Sequence, residues 1–230
     1  MVNRMGGKMN TGIANITFTD EEAPYIAEGI YQIRFYCKAA LFSISHIENI
    51  MENELEMLDN KVQYYHYYVD SLLNYLGFIN ERFIPKKSYG KLEPNEAAQK
   101  IKMINQNCIY YKFQETDFPI LANKMPRNIV EHIDERNIVT IHNYGGVGGF
   151  NVLDSSNYAE LGKHIFYHQR FYPYTLSLSD DCIVFFDIQC KNDAQKQSYI
   201  KIDDLKKELI LLVQNIDELN NSFIEWRHKK

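Results

Sequence analysis

The sequence predicts a mainly α protein: an antiparallel helical bundle with a strand-rich insert between its fourth and last helix, α+β overall. Three observations carry this. Apolar residues over 19–137 recur in steps of three, four and seven, the period of one helix face. Residues 138–202 lose that period and turn aromatic and β-branched, with stretches of alternation. From Asp203 the helical step returns and holds to the end. The chain therefore divides into an N-terminal stretch 1–18, a helical bundle 19–137, a β-rich insert 138–202 and a C-terminal helix 203–230.

Each element has a local reason. Residues 1–18 are polar and glycine-containing, and are expected to be loose. Thr19-Asp20-Glu21-Glu22 is a capping signal. Ile26, Ile30, Ile33, Cys37, Leu41, Ile44, Met51, Leu55 and Leu58 then trace one long amphipathic helix. Val62, Tyr65, Val69, Leu72, Leu76, Ile79 and Phe83 trace a second, broken by Pro85 and the stretch 86–90. A third opens at Glu93-Pro94-Asn95 and carries Ala97, Ala98, Ile101, Ile104 and Cys108. Pro119 interrupts the linker that follows, Pro126 suits a first helical turn, and 127–136 reads as a fourth helix ending at Asn137. In the insert, Ile138–Tyr144, Phe166–Leu178 and Cys182–Cys190 read as strands, with Cys182, Val184, Phe186, Ile188 and Cys190 on one face. Leu205, Leu209, Leu212, Ile216, Leu219, Phe223 and Trp226 alternate steps of four and three. Such a stripe needs cover, so the last helix is expected to pack back on the bundle or onto a dimer mate.

Length and composition bound the function. The 230 residues suffice for one generous domain or two small ones, and 45% hydrophobic with 24% charged residues excludes disorder over most of the chain. No apolar run approaches the roughly 20 residues of a membrane helix, and no apolar segment follows the basic residues of the start. Cys37, Cys108, Cys182 and Cys190 are scattered, without a C-x-x-C pair, so neither a zinc framework nor a disulfide scaffold is expected. A cytoplasmic protein without a membrane partner is the expectation. The net charge of −5 disfavours broad nucleic-acid binding, but it is unevenly spread. Residues 19–81 sum to −8, whereas 82–127 sum to +5 and end at Arg127.

That arginine opens the one constellation with chemistry in it. Arg127-Asn128-Ile129-Val130-Glu131-His132 has the form R-N-x-x-x-H and falls at a predicted helix start. Asn128 and His132, four apart, would share a helix face. Arg127 would lie beside the free N–H groups of the first turn, which suit an anion. A phosphodiester asks for such groups: a cation for its non-bridging oxygens, an imidazole for proton transfer and an amide to orient it.

In this pattern the chain resembles the HEPN (higher eukaryotes and prokaryotes nucleotide-binding) family, over the helical parts at roughly 20–137 and not over the insert. The resemblance implies a HEPN-like bundle and a metal-independent endoribonuclease of a bacterial toxin or anti-phage defence system. Two subunits of such an enzyme set their motifs side by side in a composite site, and RNA is cut by attack of the neighbouring 2′-hydroxyl. By carry-over, Arg127 would hold the phosphate, Asn128 would position it and His132 would act as general acid or base. Lys124, Lys112 and Lys102, in the basic stretch upstream, are the expected substrate-binding residues. RNA or a nucleotide, a second copy in a homodimer and an antitoxin or defence-system partner are the expected partners; no metal and no cofactor is implied. The subfamily paired with nucleotidyltransferase antitoxins has a tyrosine two residues after the histidine, where this chain has Asp134, so that pairing is not implied.

The alternative is a non-catalytic HEPN-like nucleotide-binding or dimeric interaction module, in which Arg127 and Glu131 form an (i, i+4) ion pair worth a few tenths of a kcal/mol. Other signals carry less. Gly145–Gly149 lacks the Gly-Lys-Ser/Thr of a phosphate loop. His164 and His168 have helical metal spacing but sit in a predicted strand, where four residues span about 13 Å. Asp180-Asp181 and Asp203-Asp204 read as a turn and a helix cap. The run Tyr64-Tyr65-His66-Tyr67-Tyr68 lies half on an apolar helix face and reads as packing.

Overall fold

The structure, a computed structural model, describes residues 18–21, 23–52, 58–83, 115–132, 151–153, 174–186 and 197–229. Its helices are α1 (Ala23–Glu52), α2 (Leu58–Phe83), the short α3 (Met125–Glu131) and α4 (Ile202–His228). Its strands are β1 (Asn151–Leu153), β2 (Tyr174–Ser177), β3 (Cys182–Phe186) and β4 (Gln197–Lys201). The protein is thus mainly helical with a small sheet. The expected third helix at 93–108 and the expected strand Ile138–Tyr144 lie outside the described residues, as do Gly145–Gly149, His164 and His168.

The long helices meet through the stripes their sequences carry. Ile26, Ile30, Ile33, Cys37, Ala40, Ile44 and Ile47 of α1 are buried in unbroken steps of four and three. Tyr65, Val69, Leu72, Leu76 and Ile79 of α2 do the same, as do Ile202, Leu205, Leu209, Leu212, Ile216, Leu219 and Phe223 of α4. Alternation of three and four keeps a seam facing its neighbour along nearly parallel axes. Each large aliphatic side chain taken fully from water contributes about 1.5–3 kcal/mol before entropy is counted. Helix α1 packs on both α2 and α4. The rings of Tyr36 and Phe78 stack at 4.9 Å and those of His46 and Tyr68 lie at 4.6 Å, so α1 and α2 run antiparallel. Arg34 meets Asp217 at 3.1 Å and Lys206 meets Glu48 at 2.6 Å, so α1 and α4 are antiparallel too. Phe18, ahead of α1, closes the far end of α4 against Phe223 and Trp226, at 5.3 and 5.7 Å.

The first helix differs from its sequence expectation at its end. It stops at Glu52, and Leu58, expected as its last apolar position, opens α2 instead. Residues 53–57, between the two helices, lie outside the described residues.

The sheet has the order β1-β2-β3-β4, with β1 parallel to β2 and the other pairs antiparallel. Tyr174 faces Phe185 across the ladder, Leu176 faces Ile183, and Ile183 faces Ile200. These five residues belong to one core with the helices. The other parity of β2 and β3, Thr175, Ser177, Cys182 and Val184, is buried on the opposite face. The set of β3 that joins the helical core is therefore Ile183 and Phe185, while Cys182 and Val184 share the other face, as their alternation predicts. Cys-Ile-Val-Phe-Phe is apolar at both parities, so only pairing with β2 and β4 selects the face.

Leu178–Asp181 connect β2 to β3, and Asp181 takes a positive φ of 48°, a conformation aspartate tolerates better than most residues. Ser177 and Ser179 donate to the Asp180 carboxylate at 3.2 and 3.3 Å. The Asp180-Asp181 pair is a turn, as expected. Strand β4 has no counterpart in the sequence reading, and α4 follows it directly. Lys201 stands at the N-cap without a side-chain bond, so Asp203 and Asp204 are first-turn residues and not caps. They oppose the helix dipole there as a cap would.

Candidate functional site

The segment that carries the R-N-x-x-x-H residues is held by a clamp from two helices. Asn80, buried near the end of α2, donates its side-chain N–H to the Leu121 carbonyl at 3.0 Å. From α4, the Glu208 carboxylate accepts the Ile120 N–H at 3.1 Å on each oxygen and the Leu121 N–H at 3.0 Å. Phe118 and Leu121 are buried between these anchors. The turn closes on itself through Ala122 N–H to Phe118 O at 2.8 Å and Asn123 N–H to Ile120 O at 3.1 Å. Burial pushes the Glu208 carboxyl above the ordinary glutamate range; the two amides pull it back, and Asp204 adds to the rise. The sequence reading missed Asn80 and Glu208. Glu208 sits beside Leu205, Leu209 and Leu212, where a carboxylate on the flank of an apolar stripe is the only sign that it turns inward.

From this turn the chain enters α3. The Asn123 side chain accepts the Met125 N–H at 2.9 Å, and Asn128 N–H bonds to Lys124 O at 3.0 Å. Pro126 stands in the first turn, as expected, and is buried. Ile129 is buried as the anchor of the helix, while Asn128, Glu131 and His132 are exposed. The helix is described over Met125–Glu131, with His132 in the turn just beyond, and positions 133–136 of the expected 127–136 span lie outside the described residues. Asn128 thus lies within α3 and His132 at its C-terminal turn. The start of α3 differs from the expected anion seat, because Asn123 occupies the Met125 amide and seven residues make only a small dipole.

Arg127 lies in the first turn of α3, and Lys124 is exposed just ahead of it. Lys112 and Lys102 lie outside the described residues. The chain thus brings Lys124, Arg127, Asn128 and His132 within one short segment around α3. No group of three or more His, Cys, Asp or Glu among the described residues could hold a metal ion. No helix of the described residues is long and apolar enough to cross a membrane.

Comparison with the models of known families, with curated proteins and with solved structures returns no match.

A second feature lies on the outer side of α1 and α2. Tyr31, Phe35 and Phe42 of α1 and Tyr64, Tyr67 and Phe78 of α2 are between 46% and 68% exposed. Half-buried rings support them: Tyr36 lies against Phe35 at 5.6 Å and Phe78 at 4.9 Å. His46 lies against Phe42 at 4.1 Å and Tyr68 at 4.6 Å, and Tyr68 touches Tyr67 at 5.2 Å. Packing, the role expected for the tyrosine run, holds for Tyr65 and partly for Tyr68, but Tyr64 and Tyr67 face solvent.

Proposed function

We propose that the chain is a metal-independent endoribonuclease with a HEPN-like bundle, acting in a bacterial toxin or anti-phage defence system at the exposed end of α3. The observation that supports this is the pairing of an anchored base with outward polar groups. Ile129 and the Glu208–Asn80 clamp fix the segment, and Asn128 and His132 meet solvent from it. In this reading Arg127 holds the phosphodiester, with Lys124, and with Lys112 and Lys102 further upstream, gathering RNA. Asn128 orients the phosphate, and His132 moves the proton as the neighbouring 2′-hydroxyl attacks phosphorus. The P–O bond to the next nucleotide breaks, leaving a 2′,3′-cyclic phosphate and a 5′-hydroxyl. A second copy completes the site in this reading.

The test is RNA cleavage in EDTA with end analysis. Wild type should yield cyclic phosphate ends, and Arg127→Ala and His132→Ala should each lower the rate about 100-fold or more. No cleavage by wild type, together with no growth arrest on expression, overturns the reading; cleavage unchanged in both variants removes the site.

One observation favours a second reading, a non-catalytic dimeric interaction module. The six rings on the outer side of α1 and α2 make an apolar face at the upper end of what a solitary soluble domain usually leaves uncovered.

A further inference from the structure

The core consumes one stripe of α1 and one of α2, yet each helix carries another. Tyr31, Phe35, Lys38 and Phe42 step by four, three and four along α1; Tyr64, Tyr67, Ser71, Asn74 and Phe78 step by three and four along α2. That spacing matches the core seams, so this outer face has the period of a helix-packing surface. We propose that it docks on the same face of a second copy, hairpin against hairpin, to form a four-helix layer. The proposal develops the interaction reading above and does not need RNA cleavage.

Area is the first argument. An aromatic side chain buries about 150–250 Å² when fully covered, so six rings at roughly half exposure offer on the order of 600 Å². With the half-buried rings beneath, that approaches the about 800 Å² per partner of a standard stable interface. Order is the second. The ring contacts of Tyr36 with Phe78 and of His46 with Phe42 and Tyr68 pre-set the surface, which lowers the entropy lost on docking.

Charge argues for protein over nucleic acid. Stacking surfaces for single strands set several cations beside their rings, whereas the stretches 31–42 and 64–78 carry only Arg34, which pairs with Asp217, and Lys38. Seven of the eleven acids of 19–81 sit at 20–22 and 52–59; within the stretches 31–42 and 64–78 that hold the rings the one acid is Asp70, which pairs with His66 at 3.2 Å, so two such faces appose few acids. Symmetry argues for a copy. The rings form two clusters, Tyr31, Phe35 and Phe78 at one end and Phe42, Tyr64 and Tyr67 at the other, with exposed Lys38 and Asn74 between them. A two-fold axis through this polar waist lays each cluster on the other cluster of the second copy. Asn80, which reaches Leu121 ahead of α3, lies about 200° around α2 from Phe78, so the interface leaves α3 clear.

Sedimentation of the full chain, with a single-chain mass of 27.1 kDa, tests this directly. Wild type should sediment at twice that mass, and Phe35→Ser with Phe42→Ser should raise the dissociation constant at least about 100-fold with unchanged helical circular dichroism. Tyr67→Ser, on the other helix, should weaken the dimer in the same way should the double variant fold poorly. Lys38→Cys, at the axis, should be joined to its counterpart by a short bismaleimide, whereas wild type should not. A wild type that stays single at about 100 µM, well above the micromolar range of specific complexes, overturns the proposal. So do a dimer indifferent to these serines and a Lys38→Cys protein that does not crosslink. Capture of single-stranded oligouridine that is lost in the Phe35/Phe42 variant, without any dimer, also overturns it and assigns the face to nucleic acid. His132→Ala reports on the nuclease reading alone, because it lies off this face.

Discussion

Replacing Glu208 with alanine should detach the segment ahead of α3 from α4 while leaving the long helices in place. In the native protein one carboxylate receives the Ile120 amide at 3.1 Å on both oxygens and the Leu121 amide at 3.0 Å. Alanine leaves these two part-buried donors facing a gap. A hydrogen bond to a charged acceptor contributes about 1.5–3 kcal/mol, and an orphaned donor costs about 1–3 kcal/mol. Water entering the gap returns part of that, which leaves about 2–3 kcal/mol for the pair. At about 2–4 °C per kcal/mol for a chain of this size, Tm should fall on the order of 4–12 °C. Glutamine keeps an acceptor oxygen and removes the buried charge, so Glu208→Gln should stay within about 1 kcal/mol of wild type. The pH dependence has a definite sign. Burial raises the carboxyl in the folded state, so its stabilising contribution is whole below the unfolded value and is lost as pH rises through the folded one. Wild type should therefore lose stability relative to the glutamine variant as pH climbs above the ordinary glutamate range. Urea unfolding at several pH values measures both effects, and hydrogen exchange at Ile120 and Leu121 should quicken in the alanine variant. An alanine variant within about 0.5 kcal/mol of wild type, or a glutamine variant as damaged as alanine, refutes this account of the clamp.

Three further substitutions probe other levels of the structure. Asp181→Asn keeps a residue that tolerates positive φ and removes a carboxylate raised by burial and by the charges of Asp203 and Glu48. Because the group stands partly in water and Lys206 offsets part of the rise, thermal unfolding should show a gain of no more than a few tenths of a kcal/mol at neutral pH, vanishing as pH falls below the unfolded aspartate range. Leu212→Ala, in the middle of the α4 stripe, should cost about 2–5 kcal/mol by urea unfolding. Arg34→Ala should change stability by less than about 1 kcal/mol in the same assay, because its ion pair with Asp217 stands half in water.

The long helices were readable because aliphatic residues repeat in α1, α2 and α4 with few interruptions, and the seam that buries them is the one that their period draws. The boundary between α1 and α2 was not, since the apolar step of α1 continues in sequence to Leu58, which belongs to α2. Strand β4 escaped because Gln-Ser-Tyr-Ile-Lys shows too little apolar alternation over five residues. The site was legible as a motif but not in its setting: nothing in Ile120-Leu121 announces a carboxylate 87 residues away. Tyr31, Phe35 and Phe42, by contrast, stand off the Ile26–Ile33–Cys37 stripe in plain sequence, so the outer aromatic face was present in the pattern once two stripes are sought instead of one.

The passage from β4 into α4 at Lys201–Ile202 has a mechanical meaning. No loop residue separates strand from helix, and the first amide of α4 is tied to the hairpin turn through Ile202 N–H and Asp181 O at 2.9 Å. A helix of 27 residues extends about 40 Å from that point and ends on the rings that hold Phe18. Sheet and helix therefore lack the swivel that a linker would provide, so a twist applied to β4 is delivered along α4 to Phe18, ahead of α1. Such a junction transmits instead of absorbing, and strand, helix and the Phe18 contact should open together as one cooperative unit.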